Sequence, residues 1–239
     1  MQETTKAIVF SSIKYGDTSL IVKAFTASSG IKTYLLKGIL VSKRARLKSA
    51  YFQPLMQLEI VANHRNKGTM ESIKEARVYF PYQTIHRDIS KNALTLFLAE
   101  MLGNSIYEEE QNTSLFNFLE AALGWLDTHN NIANFHLFFL LELTKYLGFY
   151  PESDNKDAMY FDLLEGVFTN EQTLNPRLSE SKLVNFKAFL GINFDAIHTV
   201  QLGKKDRREL LQSLVMYFEL HLHGFKKPRS LAILNDVFN

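Results

Sequence analysis

Five bases and no acid fall between Lys37 and Phe52, in the run KGILVSKRARLKSAYF. The bases are Lys37, Lys43, Arg44, Arg46 and Lys48. Gly38 marks a turn at the start, and Tyr51 and Phe52 close the run with two rings. No negative charge occurs anywhere between Asp17 and Glu59. Cations spaced along a loop with rings beside them suit a phosphate backbone, whose charges the cations neutralise while bases stack on the rings. A solvated loop between two strands would show the same bases, so the elements around the run matter.

Other chemistry is restricted by residue types and spacing. The 239 residues include no cysteine, which removes disulfides, thiolate zinc sites and cysteine nucleophiles and fits a reducing compartment. His221 and His223 lie two apart on an expected helix and point away from each other, so they cannot share an ion. Asp154, Asp157 and Asp162 lack the spacing and glycine of a calcium loop. Gly203-Lys204-Lys205 lacks the upstream glycine and the Ser/Thr of a phosphate loop, and no G-x-S-x-G or H-E-x-x-H occurs. A serine–histidine–carboxylate triad assembled only by the fold is left open. A second basic cluster, Lys204, Lys205, Arg207 and Arg208 with Lys226, Lys227 and Arg229, reads as the surface of a helix or as a basic rim for an acidic peptide.

The formal net charge of +2 is unevenly spread. Residues 1–83 hold thirteen Lys/Arg against five Asp/Glu, a net +8, which leaves −6 for the remainder. A basic module joined to an acidic one points to a polyanion for the first. The N-terminus has no basic flank leading into a long apolar run, and the most apolar stretch, 135–143, is too short for a membrane span. The expected location is the cytoplasm, with no membrane association.

Periodicity supplies the elements. Lys6–Tyr15 reads as a strand with Ala7, Val9, Ile13 and Tyr15 on one face. A turn at Tyr15–Thr18 leads into a strand over Ser19–Thr26, and Ser28-Ser29-Gly30 turns into Ile31–Leu36, with Lys32, Tyr34 and Leu36 on one face. Leu55–Val61 alternates, with Met56, Leu58 and Ile60 inward and Gln57 and Glu59 outward. Asn66-Lys67-Gly68 then turns into Thr69–Tyr79, whose poor alternation predicts a bulge. Five short strands with a longer connection after the third match a five-stranded Greek-key barrel, either an OB-fold or an SH3-like barrel.

Beyond Pro81 the period becomes helical. Asp88–Leu102 carries a stripe of Leu94, Leu98, Met101 and Leu102, and Thr113 is the expected N-cap of a helix with Leu115, Leu119, Ala122 and Leu126. Asn134–Leu147 is apolar nearly all round and ends at Gly148, so it reads as a central buried helix. The pattern breaks from about 152 to 175 into a small hairpin or irregular insert. Ser179–Leu190 is a short helix. Asp206 and Glu209 suggest a capping box for a last long helix through His223, with Leu210, Leu211, Leu214, Tyr217 and Phe218 inward. The class is α+β, with a barrel over 1–82, an all-α domain over 83–239 and the insert near 152–175.

The run Y-G-D-T-S-L-I-V-K-A-F-T-A-S-S-G-I-K-T-Y-L-L-K-G, residues 15–38, resembles the start of the bacterial RecO family. The basic loop follows, then Phe52-Gln53-Pro54-Leu55, Glu75-Ala76-Arg77 and the corner Leu147-Gly148-Phe149-Tyr150-Pro151. The resemblance implies an N-terminal OB-fold and a helical C-terminal domain. It implies a non-enzymatic recombination mediator that binds single- and double-stranded DNA, anneals complementary strands and helps load RecA. The implied partners are RecR and the acidic C-terminal tail of single-strand-binding protein. Many members carry a four-cysteine zinc site after the proline corner; this chain has no cysteine, so no zinc and no cofactor are expected, and the insert must be held by packing. The expected DNA contacts are Lys32, Tyr34, Lys37, Gly38, Lys43, Arg44, Arg46, Lys48 and Tyr51. The rival reading is a protein-interaction module whose barrel binds a peptide.

Overall fold

The computed structural model describes residues 2–41, 47–65, 69–152, 154, 155 and 157–238. Two compact units divide the chain, residues 1–127 and 128–239. The change from strand to helix period falls between Phe80 and Ile89, whereas the compact division falls later, because the first two helices pack with the sheet.

The first unit opens with five strands: β1 (Gln2–Tyr15), β2 (Ser19–Thr26), β3 (Gly30–Leu36), β4 (Gln57–Asn63) and β5 (Ser72–Phe80). They form one antiparallel sheet in the order β3-β2-β1-β4-β5. A parallel bridge between Tyr34 and Glu71 brings the edge of β3 to the approach of β5, through Glu71 N–H to Thr33 O (2.8 Å) and Leu35 N–H to Glu71 O (2.9 Å). The sheet curls towards closure in the OB manner without a continuous ladder between its edges. Its concave face buries Val9, Val22, Tyr34, Leu36, Leu58 and Ile60.

Period two fails at one place in β1. The register slips between Val9 and Ser11, after which Ser12 opposes Val22 and Lys14 opposes Leu20. A bulge adds one residue and exchanges the faces. Ala7 and Val9 therefore stay inside, while Ile13 and Tyr15, expected on the same face, are 62% and 53% exposed. The bulge expected near β5 is present in its pairing with β4. Leu55 adopts φ +59°, so β4 begins at Gln57 rather than at Leu55. Gln57, expected outward, is buried: it accepts a hydrogen bond from the Tyr79 hydroxyl (2.7 Å) and donates one to Tyr82 Oη (3.0 Å).

Helices α1 (Ile89–Ser105) and α2 (Thr113–Thr128) complete this unit. Asp88 caps α1 by accepting from Lys91 N–H (2.9 Å), and Leu94, Leu98, Met101 and Leu102 are buried as the stripe predicts. Asn112, not Thr113, caps α2, accepting from Leu115 N–H at 2.9 Å. Phe10 and Phe25 stack at 6.0 Å, and Phe116 of α2 covers Phe25 at 5.9 Å. The Asp127 carboxylate then receives the N–H groups of Gln83, Thr84 and Ile85, tying the segment after β5 to the end of α2.

The second unit centres on α3 (Phe135–Leu147), buried along most of its length and stopped by Gly148 at φ +83°. Phe194, on a 3-10 turn over Phe194–Thr199, packs against Phe138 at 4.9 Å. The insert is a three-stranded sheet, β6 (Tyr160–Asp162), β7 (Val167–Thr169) and β8 (Arg177–Ser179), in the order β7-β6-β8. It is followed by α4 (Glu180–Lys187), α5 (Lys204–His221) and α6 (Leu231–Val237). Helix α5 buries the five expected residues but starts at Lys204 behind Gly203, so Asp206 lies inside the first turn and is not its cap.

Candidate nucleic-acid interface

The basic run leaves the end of β3 and returns through a 3-10 turn, Ser49–Phe52. Lys37 is exposed, and Gly38 takes φ +70°, a left-handed turn open to glycine without strain. The turn is tied to the β1–β2 hairpin: Gly38 N–H donates to Ser19 Oγ (3.3 Å) and Leu40 N–H to Thr18 O (3.0 Å). Lys48 is exposed, with its ammonium 5.8 Å from the centre of the Tyr51 ring. Tyr51 rests partly buried against the barrel core, while Phe52 is wholly inside it. Lys43, Arg44 and Arg46 lie outside the described residues.

The other two expected contacts turn inward. Register places Lys32 opposite Ala24 and Tyr34 opposite Val22, on the face that also carries Leu36. Tyr34 is fully buried and offers no ring face to a base. Its hydroxyl meets His64 Nε2 at 2.8 Å, and His64 Nδ1 lies 3.2 Å from the Glu3 carboxylate. Burial, then the negative charges of Glu3 and Glu71, push the Tyr34 phenol far above its ordinary pKa. Lys32 is 6% exposed, and its ammonium is held 3.0 Å from Glu109 Oε2. Alternation was a sufficient signal for both, since any residue sharing a face with Leu36 faces the core.

The partner of Lys32 comes from the acidic loop between α1 and α2. Glu108 O accepts from Ile31 N–H (3.0 Å), which lays the loop along the edge of β3. Gly30 at φ +61° permits that approach: a Cβ there would lie 2.5 Å from Glu108 O and 2.8 Å from Glu110 N. One end of β3 is thus neutralised by acid, and the other opens onto exposed Lys37.

Two recesses flank the bridge at Glu71. One, about 290 Å³, is lined by Lys32 and Glu109 among others. The other, about 470 Å³, lies between Leu35, Lys37, Leu47, Arg65, Met70 and Ile73. Arg65, Leu47 and Met70 were not singled out from the sequence. Their relation depends on the β4–β5 connection folding back to β3, and only the turn residues 66–68 hinted at that.

In the second unit, Lys204, Arg207 and Arg208 of α5 rim a narrow recess of about 10 Å³ beside Leu211, Leu234 and Phe238. Its volume suits about one water. Arg207 is already engaged, donating from Nε to Asn134 Oδ1 (3.0 Å) and from Nη2 to Leu202 O (3.1 Å). Buried His136 beside it is pushed down to about 3 by burial and then by Arg207, so it is neutral at pH 7.

The insert does not fit a zinc site. It has no thiolate, and both oxygens of buried Asp162 are taken by donors: Leu164 and Glu165 N–H, the Thr173 hydroxyl and the Asn175 amide. Burial alone would raise the Asp162 pKa, yet these donors hold it below the ordinary carboxylate value. Phe161, Phe168 and Phe186 pack together beneath it. His221 stacks on Phe149 at 5.0 Å with Nε2 at 3.0 Å from Leu163 O, a packing role. Among the described residues no group of three or more His, Cys, Asp or Glu could hold a metal, and no helix is long and apolar enough to cross a membrane.

A curled five-stranded sheet of the OB type followed by helices defines the class of fold, and comparisons narrow it. Residues 1–82 match the family profile described as "Recombination protein O N terminal", and residues 86–231 match "Recombination protein O C terminal". The chain is similar to proteins named DNA repair protein RecO. It is 50% identical to that of Christiangramia forsetii over 98% of both chains and 50% identical to that of Flavobacterium johnsoniae over the whole of both. It is 37% identical to that of Bacteroides fragilis, again over the whole of both. The chain belongs to the RecO family.

Proposed function

We propose that this chain is a DNA repair and recombination mediator that binds single- and double-stranded DNA and anneals complementary strands in the cytoplasm. The observation that carries the reading is the acid-free basic run from Lys37 to Lys48, with Lys37 and Lys48 exposed at its two ends, on a module of net +8, in a chain collinear with DNA repair proteins of the RecO family. Cations along that turn neutralise phosphates on two strands, lower their mutual repulsion and let pairing nucleate. The chain acts by binding and placement, without making or breaking bonds. With RecR it helps load RecA on DNA coated by single-strand-binding protein. The acidic tail of that protein is attracted to the base-rich start of α5, where Lys204 and Arg208 stand beside apolar Leu211 and Leu234.

The test is single-strand binding against salt, with Lys37, Lys43, Arg44, Arg46 and Lys48 changed together to Ala. Each lost phosphate contact lowers the slope of log affinity against log salt by about 0.7. Five contacts would remove up to about 3.5, and the annealing rate falls with them. Unchanged affinity and slope would take this turn out of the mechanism. Salt-insensitive binding by the unaltered protein would favour the peptide-binding module instead.

A further inference from the structure

The recess of about 470 Å³ beside the Tyr34–Glu71 bridge has a composition that the basic turn does not explain. It falls within the ~300–1,000 Å³ typical of ligand pockets. Part of its wall is apolar: Leu35 and Leu47 are partly buried, and Met70 is 46% exposed. Two exposed cations line it from the ends of two different strands, Lys37 after β3 and Arg65 after β4. The one acid in the lining, Glu71, is 5% exposed, and both its oxygens accept from Arg65 N–H at 2.9 Å. Its charge is thus turned to the backbone.

A nucleotide within a single strand is an apolar-faced ring hung between two phosphates. The recess has a complementary composition, with apolar side chains and two cations in one lining. We propose that it is a nucleobase pocket, in which one unstacked base of a DNA single strand lies against Leu35, Leu47 and Met70 with its flanking phosphates on Lys37 and Arg65. This rests on the DNA-binding reading above and adds to it a contact that duplex DNA cannot make, because paired bases stay in the stack. A thioether and two leucines accept any ring, so the pocket takes bases without regard to sequence. The companion recess on the far side of Glu71 is excluded as a path for the strand, since Glu109 both neutralises Lys32 and repels phosphate there.

The experiment compares three probes at one salt concentration: an oligothymidylate, an abasic oligomer of the same length and a duplex. Wild type binds the oligothymidylate more tightly than the abasic oligomer. Leu47→Ala with Met70→Ala lowers oligothymidylate affinity about tenfold, within the range for one stacked base, and leaves abasic and duplex affinities and the salt slope unchanged. Ser72→Phe fills the same space from an exposed position without removing a wall, and it produces the same selective loss. Thermal melts of each variant establish that the fold is intact. Equal wild-type affinity for base-bearing and abasic strands overturns the pocket, as does a loss that extends equally to duplex. If wild type binds none of the three probes, the DNA-binding reading itself falls and the pocket with it.

Discussion

Replacing Asp127 with Asn tests what holds the start of the helical region to the end of α2. Asp127 is 3% exposed, and Oδ1 accepts from the N–H groups of Gln83 (3.1 Å), Thr84 (2.8 Å) and Ile85 (3.0 Å), while Oδ2 accepts from Gln83 N–H at 2.9 Å. The ammonium of buried Lys91 bonds the Asp127 carbonyl (2.9 Å) and Thr84 Oγ1 (2.7 Å). Asparagine keeps an acceptor where Oδ1 stands but makes neutral hydrogen bonds. A bond to a charged group contributes about 1.5–3 kcal/mol against about 0.5–1.5 for a neutral one. Three bonds weakened by about 1 kcal/mol each give a cost of about 2–3 kcal/mol at pH 7. The assay is urea unfolding followed by Trp125, the only tryptophan, which lies on α2 two residues away.

The pH dependence supplies the sign. Burial raises the Asp127 pKa, but the backbone N–H donors and the Thr84 hydroxyl outweigh it and hold the folded pKa below the ordinary carboxylate value. A depressed pKa contributes stability that is fully present above the unfolded value, about 3.9, and is lost as pH falls through the folded one. The difference between wild type and Asp127→Asn should therefore be constant from pH 5 to 7 and shrink below about pH 4. An Asn variant as stable as wild type at pH 7, or a penalty equally large at pH 3, would refute the latch.

Two further substitutions probe the acidic loop and the insert. Gly30→Ala places a Cβ against the Glu108 and Glu110 backbone, whereas Gly16→Ala, at a similar positive φ, meets nothing within 4 Å. The left-handed penalty of about 1–2 kcal/mol is common to both, so Gly30→Ala should lower Tm by at least several degrees more; equal shifts would mean that the loop does not press on the β2–β3 turn. Phe161→Ala removes the ring that links Phe168 and Phe186 and should cost about 3–5 kcal/mol, read as lost amide protection across β6 and β7. Protection that survives would show that the insert does not depend on its aromatic cluster.

Much of the barrel was legible because strand period and turn chemistry are local. The turns at Gly16 and Gly30, the stripe of α1 and the stop of α3 at Gly148 each follow from residues within a few positions. Faces were legible too, except where a single residue changed the count: the bulge after Val9 reversed Ile13 and Tyr15, and the left-handed Leu55 delayed β4. Caps were less legible. Asn112 precedes Thr113 by one residue and Gly203 precedes Asp206 by three, and periodicity does not place a helix end that closely.

For the interface, the sequence by itself determined the cluster of bases, the absence of acid around it and the shared face of Lys32, Tyr34 and Leu36, whose inward direction the structure supplied. These are properties of residue type and short spacing. Tertiary structure alone decided which cation is neutralised, since Glu109 lies 77 residues from Lys32, and which carboxylate receives the Gln83–Ile85 N–H groups, since Asp127 lies 42 to 44 residues away. It alone decided that Leu35, Leu47, Arg65 and Met70 share a recess. No local period encodes such meetings; they depend on how a curled sheet brings its two edges together and on which loop is laid along them.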